Sequence, residues 1–200
     1  MKKTRKILAM AACAILLVCI SVGATVAYLT STDEVTNTFT IGTVAITLDE
    51  APVGADGKKI AGNRVKANSY KLMPGHEYDK DPIVHFQPKS EASWLFIEVT
   101  NGIAGIESTA SDYKSIATQI TANGWTALEG VTGVYYKSVS ANTSNTAVDY
   151  PVFDGFTVDG SVTGTTLQGY NGETVKIVAY AVQADGFTTA SDAWTTGLSK

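Results

Sequence analysis

Along residues 173–183 apolar side chains occupy both alternating faces, with Val175, Ile177, Ala179 and Ala181 on one and Val178, Tyr180 and Val182 on the other. A helix would scatter these residues around its circumference, whereas a strand sorts them by a period of two. The pattern predicts a strand covered on both faces and central in its sheet. Trp94-Leu-Phe-Ile-Glu-Val-Thr has the same character and is the most apolar run beyond the N-terminal segment.

Shorter runs at 35–48, 82–86, 124–128, 134–139 and 152–158 repeat the alternation and are read as further strands. In the first of them Val35, Phe39 and Ile41 share a face, and the phase shifts across Gly42 so that Val44, Ile46 and Leu48 continue the pattern. Residues 49–69 form a polar excursion read as an exposed loop or irregular hairpin, and Tyr70-Lys-Leu-Met-Pro-Gly reads as a short strand ending in a Pro-Gly turn. Two segments keep helical spacing. Residues 111–121 place Tyr113, Ile116, Ala117 and Ile120 behind a capping Ser111, and residues 188–196 place Ala190, Ala193 and Trp194 on one side. About seven to nine strands with one or two short helices predict an all-β domain, a jelly-roll or Greek-key β-sandwich.

The N-terminus has a different composition. Lys2, Lys3, Arg5 and Lys6 precede an apolar run from Ile7 to Val22, followed by the small residues Gly23, Ala24 and Ala27. This is the pattern of a secretory signal peptide, residues 1–27, with cleavage between Ala27 and Tyr28. Membrane attachment is then expected only through the uncleaved leader. Both cysteines, Cys13 and Cys19, fall within the leader, and Val18 stands where a lipidation signal needs a small residue. Residues 28–200 are therefore read as a single secreted domain that must hold together without a disulfide.

Removing the leader's four basic residues takes the 15 Lys and Arg of the whole chain to 11, against 19 Asp and Glu, a balance of −8. Such a surface repels nucleic acid and anionic lipid. Nucleotide-binding loops and a G-x-S-x-G elbow are missing from the sequence. Only His76 and His85 supply imidazole, and neither lies in an H-E-x-x-H pattern. His76, Glu77, Asp79, Asp81 and His85 are close enough in sequence to be weak candidate metal ligands. The solvated-turn reading is preferred, and no catalytic residue or cofactor is assigned. Trp94, Trp125, Trp194, Tyr135 and Tyr136 could stack on sugars, although aromatics in a sandwich usually belong to its core. Asn142-Thr-Ser matches a glycosylation acceptor and is read as a polar loop.

The stretches GATVAYLTSTDEVTNTFTIGTVAITLDE, YKLMPGHEYDKDPIVHF, SWLFIEV and IVAYAVQADGF resemble, in order, the TasA/camelysin family of secreted proteins of Gram-positive bacteria. The resemblance implies a leader processed by a dedicated ER-type signal peptidase and a jelly-roll domain that polymerises into extracellular fibres of the biofilm matrix. It also implies that the strand behind the cleavage site, residues 28–41, completes a sheet of the next subunit by donor-strand exchange, with Val35, Phe39 and Ile41 as its anchors. The expected partners are further copies of the chain, accessory matrix proteins and the signal peptidase. Two other functions stand beside this one: a camelysin-like secreted metallopeptidase, and a monomeric surface adhesin or glycan-binding module.

Overall fold

The computed structural model describes residues 42–110 and 113–198, together with Lys3 and Lys6. The chain divides into two units, Met1–Thr40 and Ile41–Lys200, and every element named below lies in the second. The rest of the predicted leader, the expected Ala27/Tyr28 junction and the expected anchors Val35, Phe39 and Ile41 lie outside the described residues.

Among the described residues nine strands form three antiparallel sheets, with a few short helices between them. The strands are β1 (Ile46–Asp49), β2 (Glu77–Asp79), β3 (Ile83–Phe86), β4 (Ser93–Asn101), β5 (Thr126–Ala127), β6 (Val134–Val139), β7 (Val148–Pro151), β8 (Gly155–Thr157) and β9 (Val175–Gln183). They pair in the orders β1-β3-β7, β2-β8 and β5-β6-β4-β9. The all-β expectation holds.

The alternation along β4 divides the interior. Leu95 and Ile97 enter one buried cluster together with Tyr78 of β2, Val84 and Phe86 of β3, and Phe156 of β8. Phe96 points the other way, into a second cluster with Val134, Val182, Ala190 and Ala193. The four-stranded sheet is thus covered on both faces. Side chains of all three sheets meet in the first cluster, and the C-terminal turns close the second.

Those turns are helix α3 (Ala190–Asp192), continued by a π-helical turn over Ala193–Gly197, close to the 188–196 helix that spacing predicts. Thr189 caps its start by accepting from the Asp192 N–H at 3.1 Å. Two further α-helices precede it, α1 (Ile116–Ala122) and α2 (Gly164–Gln168). The α1 helix begins later than predicted, because Ser115 supplies the cap by accepting from the Thr118 N–H at 3.3 Å. Tyr113 therefore precedes the helix, and its hydroxyl donates to Asp79 at 3.0 Å.

Other boundaries also differ from the sequence reading. Residues 70–72 are irregular. The Pro74-Gly75 turn behind them forms as expected, with Gly75 at φ 70° and the His76 N–H bonded to the Met73 carbonyl at 3.2 Å, a type II turn. Of the strand read over 152–158 only Gly155–Thr157 is extended, as β8, and β7 forms before it where the sequence reading has no strand, the two separated by a short link that holds the fully buried Val152 and Phe153. The 49–69 excursion is exposed over 59–63 but tied down at its base. Glu50 and Val65 exchange both backbone bonds, at 2.9 and 2.7 Å, and Ile60 N–H reaches Pro52 O at 2.9 Å. Arg64 reinforces the base through the Asp49 and Asp81 carboxylates and their backbone carbonyls.

The clearest correction concerns β9. It is apolar on both faces, as read, yet it lies at the end of its sheet, hydrogen-bonded among the described residues only to β4. Burial of both faces does not require a strand on both sides. Here one face meets the first cluster and the other meets the C-terminal turns.

Candidate functional site

The five candidate metal ligands are each engaged by other groups. His76 Nε2 lies 3.0 Å from the Asp56 carbonyl, and its ring packs on Tyr78 at 4.8 Å. Glu77 pairs with Lys58 at 2.8 Å. Asp79 accepts from the Lys59 N–H at 2.9 Å and from Tyr113, with Lys58 at 3.4 Å. Asp81 accepts from the Ala51 N–H at 2.7 Å and pairs with Lys59 at 3.1 Å and Arg64 at 3.3 Å. Burial raises the pKa of both aspartates, but these donors and cations outweigh it and hold each below the usual carboxylate range. Among the described residues no group of three or more His, Cys, Asp or Glu is placed to hold a metal ion.

His85 occupies the middle of β1-β3-β7, with Nδ1 2.6 Å from Asp149 on β7 and Nε2 2.9 Å from Asp49 on β1. The ring ties three strands together.

Of the aromatic candidates Trp125 is buried and the other four are half-buried, spread over the two clusters. Trp125 is 1% exposed and donates from Nε1 to the Pro151 carbonyl at 2.8 Å. Trp194 packs on Phe96 at 5.3 Å and Trp94 on Tyr136 at 5.8 Å, while Tyr135 joins the opposite cluster. Asn142 is 5% exposed, and its amide nitrogen donates to the carbonyls of Phe86, Gln87 and Thr146 at 2.9–3.2 Å. It clamps a loop.

A large groove of about 1330 Å³ runs beside β9. Its apolar wall includes Leu48 of β1, Leu72, Leu167 of α2, and Val175, Ile177 and Ala179 of β9. Charges of both signs also line it, Lys66, Lys71, Lys80 and Lys176 beside Asp49, Glu50 and Glu173.

The backbone of β9 has a definite polarity toward this groove. At one end of the β4–β9 ladder the Ala184 N–H bonds to Ala92 O at 2.7 Å, and at the other the Gly102 N–H bonds to Thr174 O at 2.9 Å. The register is unbroken between them. In an antiparallel pair, hydrogen-bonded and non-bonded residue pairs alternate. Even-numbered residues of β9 therefore bond to β4, while Val175, Ile177, Ala179, Ala181 and Gln183 turn their N–H and C=O groups outward. On β4 the Val99 N–H bonds to Gly133 O at 2.8 Å, so the odd residues of β4 serve β6. The two ladders agree in phase.

Sequence reasoning did not find this edge. The available signal was Lys176, an exposed lysine inside an apolar strand, because charged residues on edge strands oppose uncontrolled pairing. The strand expected to link subunits, residues 28–41, lies outside the described residues. Among the described residues no helix is long and apolar enough to cross a membrane. Comparison with family models, curated proteins and solved structures found no match to this chain.

Proposed function

We propose that the chain is a secreted structural subunit of an extracellular biofilm-matrix fibre, with no catalytic role. Its three sheets form a jelly-roll-type sandwich. Residues 28–41 of one copy add as a strand to the outward edge of β9 in the next, and Val35, Phe39 and Ile41 enter the apolar groove. Strand addition draws general affinity from main-chain bonds and specificity from alternate side chains.

The observation that carries this reading is the phase of β9. The outward amides of Val175, Ile177 and Ala179 belong to residues that also line the groove. An incoming strand therefore finds main-chain partners and apolar slots in one place. Cleavage after Ala27 acts as the switch, since an attached leader tethers the donor strand to the membrane.

The test is electron microscopy of protein beginning at Tyr28, beside protein with a short extension at that end and protein lacking residues 28–41. Filaments from the first alone are expected. Filaments from the truncated chain would overturn the proposal, and chelator-sensitive casein cleavage by the same preparation would favour the metallopeptidase function.

A further inference from the structure

We propose that Asn68 and Lys80 become joined by an intramolecular isopeptide bond, with Glu50 as the proton carrier. The inference is independent of fibre assembly. It rests on a cluster at the base of the 49–69 excursion in which a buried amine and a primary carboxamide share one buried carboxylate.

Glu50 is 4% exposed and Lys80 8%. One carboxylate oxygen of Glu50 lies 2.5 Å from Lys80 Nζ, and the other accepts from Asn68 Nδ2 at 3.0 Å. The Asn68 carbonyl oxygen accepts the Val53 N–H at 3.1 Å, and Nδ2 also donates to Ala51 O at 2.8 Å. The carboxamide is held at both ends. The glutamate is fixed too, since its backbone pairs with Val65 in both directions. Tyr70 stands beside the group, its ionisation pushed upward by burial and by the charge of Glu50. Its ring packs against Tyr78 and Phe156 at 5.8 and 5.5 Å.

A buried Lys–Glu pair by itself is an ordinary structural feature, and a costly one. What distinguishes this pair is the arrangement of acyl group, proton carrier and oxyanion donor around it. Moving the shared proton from Lys80 to Glu50 leaves a neutral amine and a carboxylic acid, the forms needed for attack and for leaving-group protonation. Lys80 Nζ then attacks Cγ of Asn68, and the Val53 N–H stabilises the charge that develops on the carbonyl oxygen. Glu50 gives its proton to Nδ2 and takes one from the attacking nitrogen. The Nζ–Cγ bond forms, the Cγ–Nδ2 bond breaks, and ammonia departs with the second proton as ammonium. Glu50 returns to carboxylate. No oxidant or cofactor is consumed.

The bond would join the end of the excursion to the segment between β2 and β3, supplying a covalent tie to a chain whose cysteines both lie in the leader.

Intact mass measurement and tryptic mapping of the purified chain test the proposal. The expected product is lighter than its sequence by one ammonia. Residues 67–71 are recovered covalently attached to residues 72–89, with no cleavage after Lys80. Glu50→Gln removes the proton carrier, and Lys80→Arg keeps the positive charge but removes the attacking amine. Each is expected to restore the missing mass. Should either variant fail to fold, mapping of the unaltered chain still decides. Recovery of 67–71 and 72–80 as separate peptides at full mass, or as deamidated Asn68 without a cross-link, would overturn the proposal. A cross-link persisting in Glu50→Gln would overturn the role of Glu50.

Discussion

His85 stands directly across from Asp149 in the β3–β7 register, with their side chains 2.6 Å apart, and the opposite ring nitrogen reaches Asp49 on β1. Burial opposes the imidazolium, but the hydrogen bonds and negative charges of the two aspartates outweigh it, so the His85 pKa lies above its ordinary value. Burial likewise works against charge on Asp49, yet His85 and Arg64 hold its pKa below the ordinary value.

Those directions fix a pH window. The contribution of protonated His85 is complete below the ordinary histidine pKa and is lost as pH rises through the raised value in the folded chain. The contribution of Asp49 is present above the ordinary aspartate pKa and is lost as pH falls through the depressed value. The stability difference between the native chain and His85→Gln is therefore expected to peak in mildly acidic solution at about 1–2 kcal/mol. It should shrink at both higher and lower pH. Denaturant titrations across pH measure it, and a flat difference would contradict the arrangement.

Ala179→Pro isolates the β9 edge from the fold. The Ala179 N–H points away from β4, so proline removes an outward donor without breaking the ladder to β4. The variant is expected to unfold cooperatively like the native chain while its filament yield in electron micrographs drops to background. Normal filaments from this variant would place assembly elsewhere.

Phe39→Asp changes the other side of the proposed junction by putting a charge where an apolar anchor is expected. Added to native protein beginning at Tyr28, this variant should cap growing ends, because its own β9 edge still accepts a strand while its donor does not bind. Shorter filaments at increasing mixing ratios are the expected result.

Trp194 covers the outer face of the four-stranded sheet, with its ring 5.3 Å from Phe96 and 5.6 Å from Tyr180. Trp194→Ala is expected to cost about 2–3 kcal/mol in denaturant unfolding. Hydrogen exchange should rise first in residues 190–197.

Gly57 fixes the excursion against the core. It has φ 72°, and an added Cβ would stand 2.3 Å from the Tyr78 ring. Its carbonyl also accepts the Asp79 N–H at 2.9 Å. Gly57→Ala is expected to destabilise the chain by about 2–3 kcal/mol, from positive-φ strain and displacement of Tyr78. Thermal unfolding measures the loss.

Strand identity was legible wherever alternation ran long, as at Trp94 and Val175, because one residue in two must face each cluster. The helix start was misplaced because both Ser111 and Ser115 can cap, and spacing alone does not choose between them. The position of β9 in its sheet was hidden for a different reason. Side-chain periodicity reports what covers a strand's faces, whereas sheet order depends on backbone partners, which leave almost no compositional trace. The Glu50–Asn68–Lys80 cluster was equally invisible, since its members lie 18 and 12 residues apart in sequence and meet only when the excursion folds back.

The alternation at β9 gives the same residues two tasks, since Val175, Ile177 and Ala179 send side chains toward the subunit's own interior and main-chain groups toward the outside. A subunit whose interior has not consolidated cannot hold those amides in line. Under the proposed assembly, only correctly matured copies would be admitted to a growing polymer, so the fold would act as its own inspector at the point of incorporation.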